Sequence, residues 1–511
     1  MSNSDAIPDD LLEAFRAYER ALIANDLDAL DGFFEPGERT MRGDDAGLLV
    51  GHDSISEFRS LRGGVSDRTI ERFEYRALAE GIALIVSVSR FRAGGRGLQT
   101  QVWARSGGDW RITAAHVSPR PKAVDPSVWR IAGEPLIGAP TVGPLAGLTV
   151  AVKDLFALEG HRIGAGNPTY LSSAPVEQET APAVAALLRG GASIRGIART
   201  DEFAYSIAGD NAHYGTPPNG AVAGALPGGS SSGPASAVSA GHADIGLSTD
   251  TAGSVRIPAS YQGLWGLRTT HGSVSSRGLL PLAQTFDAPG WITRDGDTLQ
   301  KAAEACLDDS PELERRFVVP EEALAAADPS TRDAFEEALS ALGARPERIA
   351  IGDLAAYQEP FRIVQAAEAW CNHGEWVTAH PGALGPAVAE RFRFASSVTA
   401  AEEAAARDAL APLRDRVRAL VDGSVMVMPT APGPAPMRTS TAARIDEIRT
   451  ATLRMTTPVA IAGIPAVSAP LLTIATRGGT APVGVCFASR TGTDIALVRL
   501  AREAAAILEN A

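Results

Sequence analysis

The strongest constraint on this chain is a pair of glycine- and serine-rich segments set about twenty residues apart: Gly228-Gly229-Ser230-Ser231-Ser232-Gly233 and Thr249-Asp250-Thr251-Ala252-Gly253-Ser254-Val255-Arg256-Ile257-Pro258-Ala259-Ser260. Backbone can approach a substrate closely only where no Cβ intervenes, so two such loops suit a fold that brings them together around a small molecule. A third element lies upstream. Leu148-Thr149-Val150-Ala151-Val152 reads as a buried strand, and Lys153 ends it. Desolvation there lowers a lysine pKa and lets the amine accept a proton. Serine needs such a base to act as a nucleophile. In Thr251, Ala252, Gly253 and Ser254, successive backbone N–H groups can converge on one point as an oxyanion hole. Taken singly, a Gly/Ser run is a flexible turn and a lysine after a strand is a solvated strand end; together, in this order, they point to a catalytic site.

These residues resemble the amidase signature family. The resemblance implies that Ser254 is the nucleophile, that Ser230 is a bridging serine on a cis peptide bond, and that Lys153 is the general base, with Ser230 relaying the proton. It covers about residue 130 to the C-terminus, including Pro429-Thr430-Ala431-Pro432, Gly463-Ile464-Pro465-Ala466 and Pro482-Val483-Gly484, which fit late loops of the family. Ala252 stands where the family commonly has glycine. Asp250 and Arg256 read as structural charges bracing the loop. The mechanism so implied uses no metal and no organic cofactor.

The same region fits a second pattern. Gly229-Ser230-Ser231-Ser232-Gly233 matches the G-x-S-x-G elbow, which makes Ser231 a rival nucleophile with His271, His373 or His380 downstream. An elbow joins a strand directly to a helix, whereas residues 219–227 form a Gly/Pro/Ala loop without a strand pattern.

Composition excludes other classes. A net charge of −13 without a basic run argues against nucleic-acid binding. No apolar run is long enough to span a bilayer, and Met1-Ser2-Asn3-Ser4-Asp5 lacks the form of a signal peptide, so a cytoplasmic location is expected. Cys306, Cys371 and Cys486 are too scattered for a disulfide framework or a zinc site.

The expected fold class is α/β: residues 148–511 as an amidase-signature catalytic domain with a mixed, mostly parallel β-sheet flanked by helices, residues 123–147 as a linker, and residues 1–122 as a small α+β domain. The boundary is read from the break Ser118-Pro119-Arg120-Pro121-Lys122. Before it come helical spacing over 11–34, a short helix at 53–61, and strands at 82–91, 98–104 and 110–117. Helices followed by strands that end in His116-Val117-Ser118 look like a SnoaL-like cone. Within that group, Met41-Arg42-Gly43 and Gly51-His52-Asp53-Ser54-Ile55 most resemble the AtzH-like domains associated with carboxylated ureas. Arg42 and His116 are the candidate lining of a cone pocket. Cone domains commonly pair, so a homodimer is expected; the alternative for this domain is a dimerisation surface without chemistry.

Two resemblances disagree over substrate. The stretch 201–217, together with Gly164-Ala165-Gly166-Asn167-Pro168 and Ser260-Tyr261-Gln262-Gly263, is similar to the indole-3-acetamide hydrolase type, which implies a primary arylacetamide. The AtzH-like domain implies a urea-like compound such as carboxybiuret or allophanate. His213 and Tyr214 read as shaping a loop near the pocket. The expectation is an amidohydrolase that acylates Ser254 and releases ammonia or an amine; the other class left open is a non-catalytic, amidase-like subunit of an assembly.

Overall fold

The computed structural model describes residues 7–44, 47–62, 68–91, 96–119, 124–476 and 479–509. Residues 1–5, read above for targeting, and positions 120–122 of the boundary motif lie outside them. The chain divides into two units, Met1–Val124 and Asp125–Ala511.

In the first unit, strands β1 (Met41–Asp44), β2 (Gly47–Val50), β3 (Arg68–Ala79), β4 (Ile82–Phe91), β5 (Arg96–Ser106) and β6 (Asp109–Pro119) form one sheet in the order β2-β1-β6-β5-β4-β3. Helix Asp9–Ala24 places Leu11, Phe15 and Tyr18 on one stripe, as steps of four and three residues require, and packs them with Ile85, Trp103 and Ile112. The three strands read from the sequence are β4, β5 and β6. Strand β3 is unannounced because a register shift between Ile70 and Arg72 breaks its alternation.

The second unit is built on β7 (Trp129–Ile137), β8 (Thr149–Lys153), β9 (Ser193–Ala198), β10 (Ile245–Asp250), β11 (Trp265–Arg268), β12 (Ala288–Thr293), β13 (Phe317–Pro320), β14 (Glu347–Ile349), β15 (Val425–Pro429), β16 (Ala466–Thr476) and β17 (Gly479–Ala488). They make a single sheet in the order β14-β13-β15-β17-β16-β11-β12-β10-β8-β9-β7. The sheet is mixed, as expected, but it is not mostly parallel. Parallel ladders are confined to β9-β8-β10 and β14-β13-β15, and the centre runs antiparallel from β15 to β10. Short connections explain the difference: β16 and β17 are joined directly, which only an antiparallel pair allows.

Two further corrections follow from the same sheet. Residues 129–137, read as linker, are the edge strand β7 against β9, a position that tolerates Pro135 because an edge strand can do without one donor. Pro482-Val483-Gly484, read as a loop, lies inside β17. Alternation then splits the core. Val425, Val427, Val483, Val485 and Phe487 face one side with helices Pro182–Arg189, Gly296–Cys306, Pro329–Ala341 and Asp494–Glu509. Met426, Met428, Cys486 and Ala488 face the other with Leu354–Ala379, Pro386–Ala395, Ala400–Val421 and Ala442–Ala462. Burying each large aliphatic side chain in these layers contributes roughly 1.5–3 kcal/mol. No helix among the described residues is long and apolar enough to cross a membrane.

Candidate active site

The C-terminal ends of β8 and β10 carry candidate residues read from the sequence. Parallel pairing of β8 with β10 places Lys153 at the end of one strand beside Thr249 and Asp250 at the end of the next. Lys153 is fully buried. Its Nζ lies 2.8 Å from Ser230 Oγ, 2.9 Å from Ser231 Oγ and 2.8 Å from Thr249 Oγ1. As an ammonium it donates to all three. Burial lowers its pKa to about 7, against the raising influence of Asp201, Asp287 and Asp250, so a neutral amine is accessible near neutrality. Ser231 directs its own proton at the Thr249 carbonyl, 3.2 Å away. The Ser230 and Thr249 hydroxyls are left as those able to donate to a neutral Nζ.

Ser230 is held by its backbone. The Gly229–Ser230 peptide is cis, and the Ser230 carbonyl accepts from Asp201 N–H at 3.1 Å and from Thr200 Oγ1 at 3.0 Å. A Cβ at Gly229 would collide with the Asp201 carboxylate, which itself accepts from Ser232 Oγ at 2.8 Å and Gly209 N–H at 2.9 Å. Burial, with Asp210 adding to it, pushes the Asp201 carboxyl up to about 7.

Ser254 sits on the loop between β10 and helix Arg256–Tyr261, 3% exposed. Asp250 organises that loop: it accepts from Gly253 N–H at 2.8 Å and Val255 N–H at 3.2 Å and pairs with Arg256 at 3.0 Å and Arg268 at 3.1 Å. The bracing role read for Asp250 and Arg256 is what the contacts display. One part of the expected oxyanion hole is corrected here. The Gly253 N–H is committed to Asp250, which leaves the amides of Thr251, Ala252 and Ser254, all on residues lining a cavity of about 710 Å³. Tyr205, Leu282, Phe361, Arg391, Arg449 and Leu453 are among its other walls.

Ser231 is no exposed elbow nucleophile. It is fully buried and bonded to Lys153, and the segment before it is loop. The three downstream histidines bond elsewhere: His271 to the Gln284 carbonyl, His373 to that of Pro281, and His380 to that of Trp376. Ser231→Ala is therefore expected to change kcat/KM by no more than about tenfold, the worth of one neutral hydrogen bond, whereas Ser230→Ala should lower it by roughly 10²- to 10³-fold. Steady-state kinetics on the two variants checks this, and the reverse order would return the elbow reading.

His213 is bonded to Glu202 at 2.7 Å, and Tyr214 lies under the Arg199 guanidinium at 3.4 Å, so both shape a loop. Arg42 and His116 do not share a pocket. β1 and β6 pair Arg42 with Ala115 and Gly43 with His116, and alternation puts the two side chains on opposite faces. Arg42 turns inward to Asp44 at 2.7 Å and over the Phe58 ring, while His116 is exposed. The cavity walls from helices Leu354–Ala379, Pro386–Ala395 and Ala442–Ala462 went unread in the sequence, since no short motif marks them.

The amidase family profile matches residues 134–342, and an AtzH-like profile matches residues 2–122. The chain is 32% identical over 402 residues to Amidase 1 of Arabidopsis thaliana, covering 71% of this chain and 94% of that one. It is 31% identical over 358 residues to the 1-carboxybiuret hydrolase subunit AtzE of Pseudomonas sp. (strain ADP), covering 64% and 77%. A crystal structure of an amidase superposes with a TM-score of 0.64 at 29% identity, covering 72% of this chain and 85% of that one. With one motif set, one sheet and these relatives in agreement, the chain belongs to the amidase signature family, hydrolases of carbon–nitrogen bonds in amides, and carries an AtzH-like domain ahead of the amidase core.

Proposed function

We propose that the chain cleaves a small-molecule amide through an ester on Ser254. The observation that carries this reading is the buried Lys153 Nζ held 2.8 Å from the Ser230 hydroxyl and from Thr249 Oγ1, five residues before Ser254 on the cavity wall. Ser254 Oγ attacks the amide carbon as its proton passes through Ser230 to Lys153 Nζ. Amides of Thr251, Ala252 and Ser254 receive the developing oxyanion. Lys153 returns the proton through Ser230 to the leaving nitrogen, the C–N bond breaks, and ammonia or an amine departs. Water then adds to the ester and the same relay restores Ser254.

A urea-type substrate is the second reading, supported by the AtzH-like profile and by the relative named a 1-carboxybiuret hydrolase subunit. Ammonia release from indole-3-acetamide, benzamide, biuret and allophanate separates the two. Whichever class turns over, kcat/KM is expected to rise with pH through about 7, because burial holds Lys153 there and the neutral amine is the reactive form. Lys153→Ala should lose that limb together with roughly 10²- to 10⁴-fold in rate. An unchanged limb in the variant would assign the base elsewhere.

A further inference from the structure

The charged groups on the cavity wall are Arg362, Glu390, Arg391, Asp446 and Arg449. Two of the arginines are already engaged on their own helices: Arg362 with Glu359 at 2.8 Å and Arg449 with Asp446 at 3.1 Å. Glu390 is exposed. Arg391 differs. Among the described residues it joins no ion pair, and its hydrogen bond runs from Nη1 to the Tyr205 carbonyl, another cavity-wall residue. Its Nε and Nη2 donors are left without a carboxylate. Burial, and then the neighbouring Arg449, lower its pKa, while Tyr205, Asp210 and Asp201 act in the opposite direction without joining it in an ion pair. The arginines also gather around one point: the Tyr205 phenol, 8% exposed, feels Arg391, Arg362 and Arg449 together.

We propose that Arg391 is a specificity-determining residue that binds a carboxylate carried by the substrate, so that the favoured substrates are amides or ureas bearing a second, anionic group. The inference rests on Ser254 being the nucleophile of the same cavity. An incoming carboxylate accepts N–H bonds from the planar guanidinium and supplies a counter-charge in direct contact, and such charge-assisted bonds are about twice as strong as neutral ones. A cavity of about 710 Å³ has room for both the reacting amide and a remote acid. Neutral arylacetamides bring no such group to the guanidinium.

The test follows the rate at which a fluorophosphonate labels Ser254 in the full chain, with and without competing ligand. Two matched pairs serve as probes: 4-carbamoylbenzoate against its methyl ester, and succinamate against its methyl ester. Protection by the acid of at least one pair should need roughly tenfold less ligand than protection by the ester. In Arg391→Gln that ratio should fall to about one, and in Arg391→Lys it should recover in part. The ratio is taken within each protein, so a changed baseline cancels. No labelling of Ser254 would overturn the nucleophile assignment and this inference with it. Labelling with equal protection by acid and ester, or by neither, would overturn the inference alone. An acid preference that survives Arg391→Gln would move the role to another residue.

Discussion

Ser254→Ala is expected to lower kcat by roughly four orders of magnitude or more on any amide the wild type cleaves, with KM little changed. In the proposed mechanism the hydroxyl makes a bond in the transition state and contributes little to holding the substrate beforehand. Ser254 is 3% exposed and sits where Asp250 holds both the preceding and the following backbone N–H, so alanine fits without moving the loop. The backbone amides of Thr251, Ala252 and Ser254, the proposed oxyanion donors, also survive the change, which sets the residual rate above that in water. In the proposed relay Ser254, Ser230 and Lys153 act on one proton, so their losses should not add: Ser254→Ala with Lys153→Ala should be no worse than about threefold below Ser254→Ala alone. Ammonia release under saturating substrate reads this directly. Activity within tenfold of wild type in Ser254→Ala would remove it as nucleophile.

How much of this was legible in the sequence depended on where the chemistry lies in the chain. Lys153, Ser230 and Ser254 stand on a strand end and in two glycine-rich loops, and local residue types there reflect the close backbone approaches that the structure shows at Gly229 and around Gly253. The register of β8 against β10 then follows from two apolar strands in parallel. The far wall of the cavity was illegible for the opposite reason. Arg391, Arg449 and Phe361 come from helices brought together by packing across one face of the sheet, and Pro360 and Pro458 lie inside two of those helices, where sequence reading expects an end. Phe203 and Ala204 take φ values of 51° and 57° just before Tyr205 at the cavity, a left-handed turn that neither residue type announces. The Arg42–His116 pocket failed because two strands with alternating faces were joined by residue chemistry alone, and one step of register separates their sides.

Asp250→Ala is expected to be the most destabilising single change near the site. Burial would raise the Asp250 pKa, yet Arg256 and Arg268 outweigh it and hold the carboxyl well below the usual carboxylate range. All three side chains are fully buried. Removing the carboxylate leaves two guanidinium groups inside the protein without their counter-charge, a defect worth about 3–5 kcal/mol, and frees the Gly253 and Val255 amides from the group that fixes them. The urea midpoint should fall accordingly, and fluorophosphonate labelling of Ser254 should slow even where the chain is still folded. Asp446→Ala supplies the contrast. It removes an exposed partner of Arg449 on the same helix, and surface pairs of this kind contribute about 0–1 kcal/mol, so its midpoint should stay near that of wild type. Acid should act on Asp250 in the same direction as the substitution. A carboxylate whose folded pKa is depressed contributes stability that is present above its unfolded value, about 4, and is lost as pH falls below it. Wild type should therefore lose stability in acid more steeply than Asp250→Ala. Equal midpoints for Asp250→Ala and Asp446→Ala would mean that the two arginines find other partners and that the loop carrying Ser254 is held by Thr456 on helix Ala442–Ala462, whose hydroxyl donates to the Ala252 carbonyl.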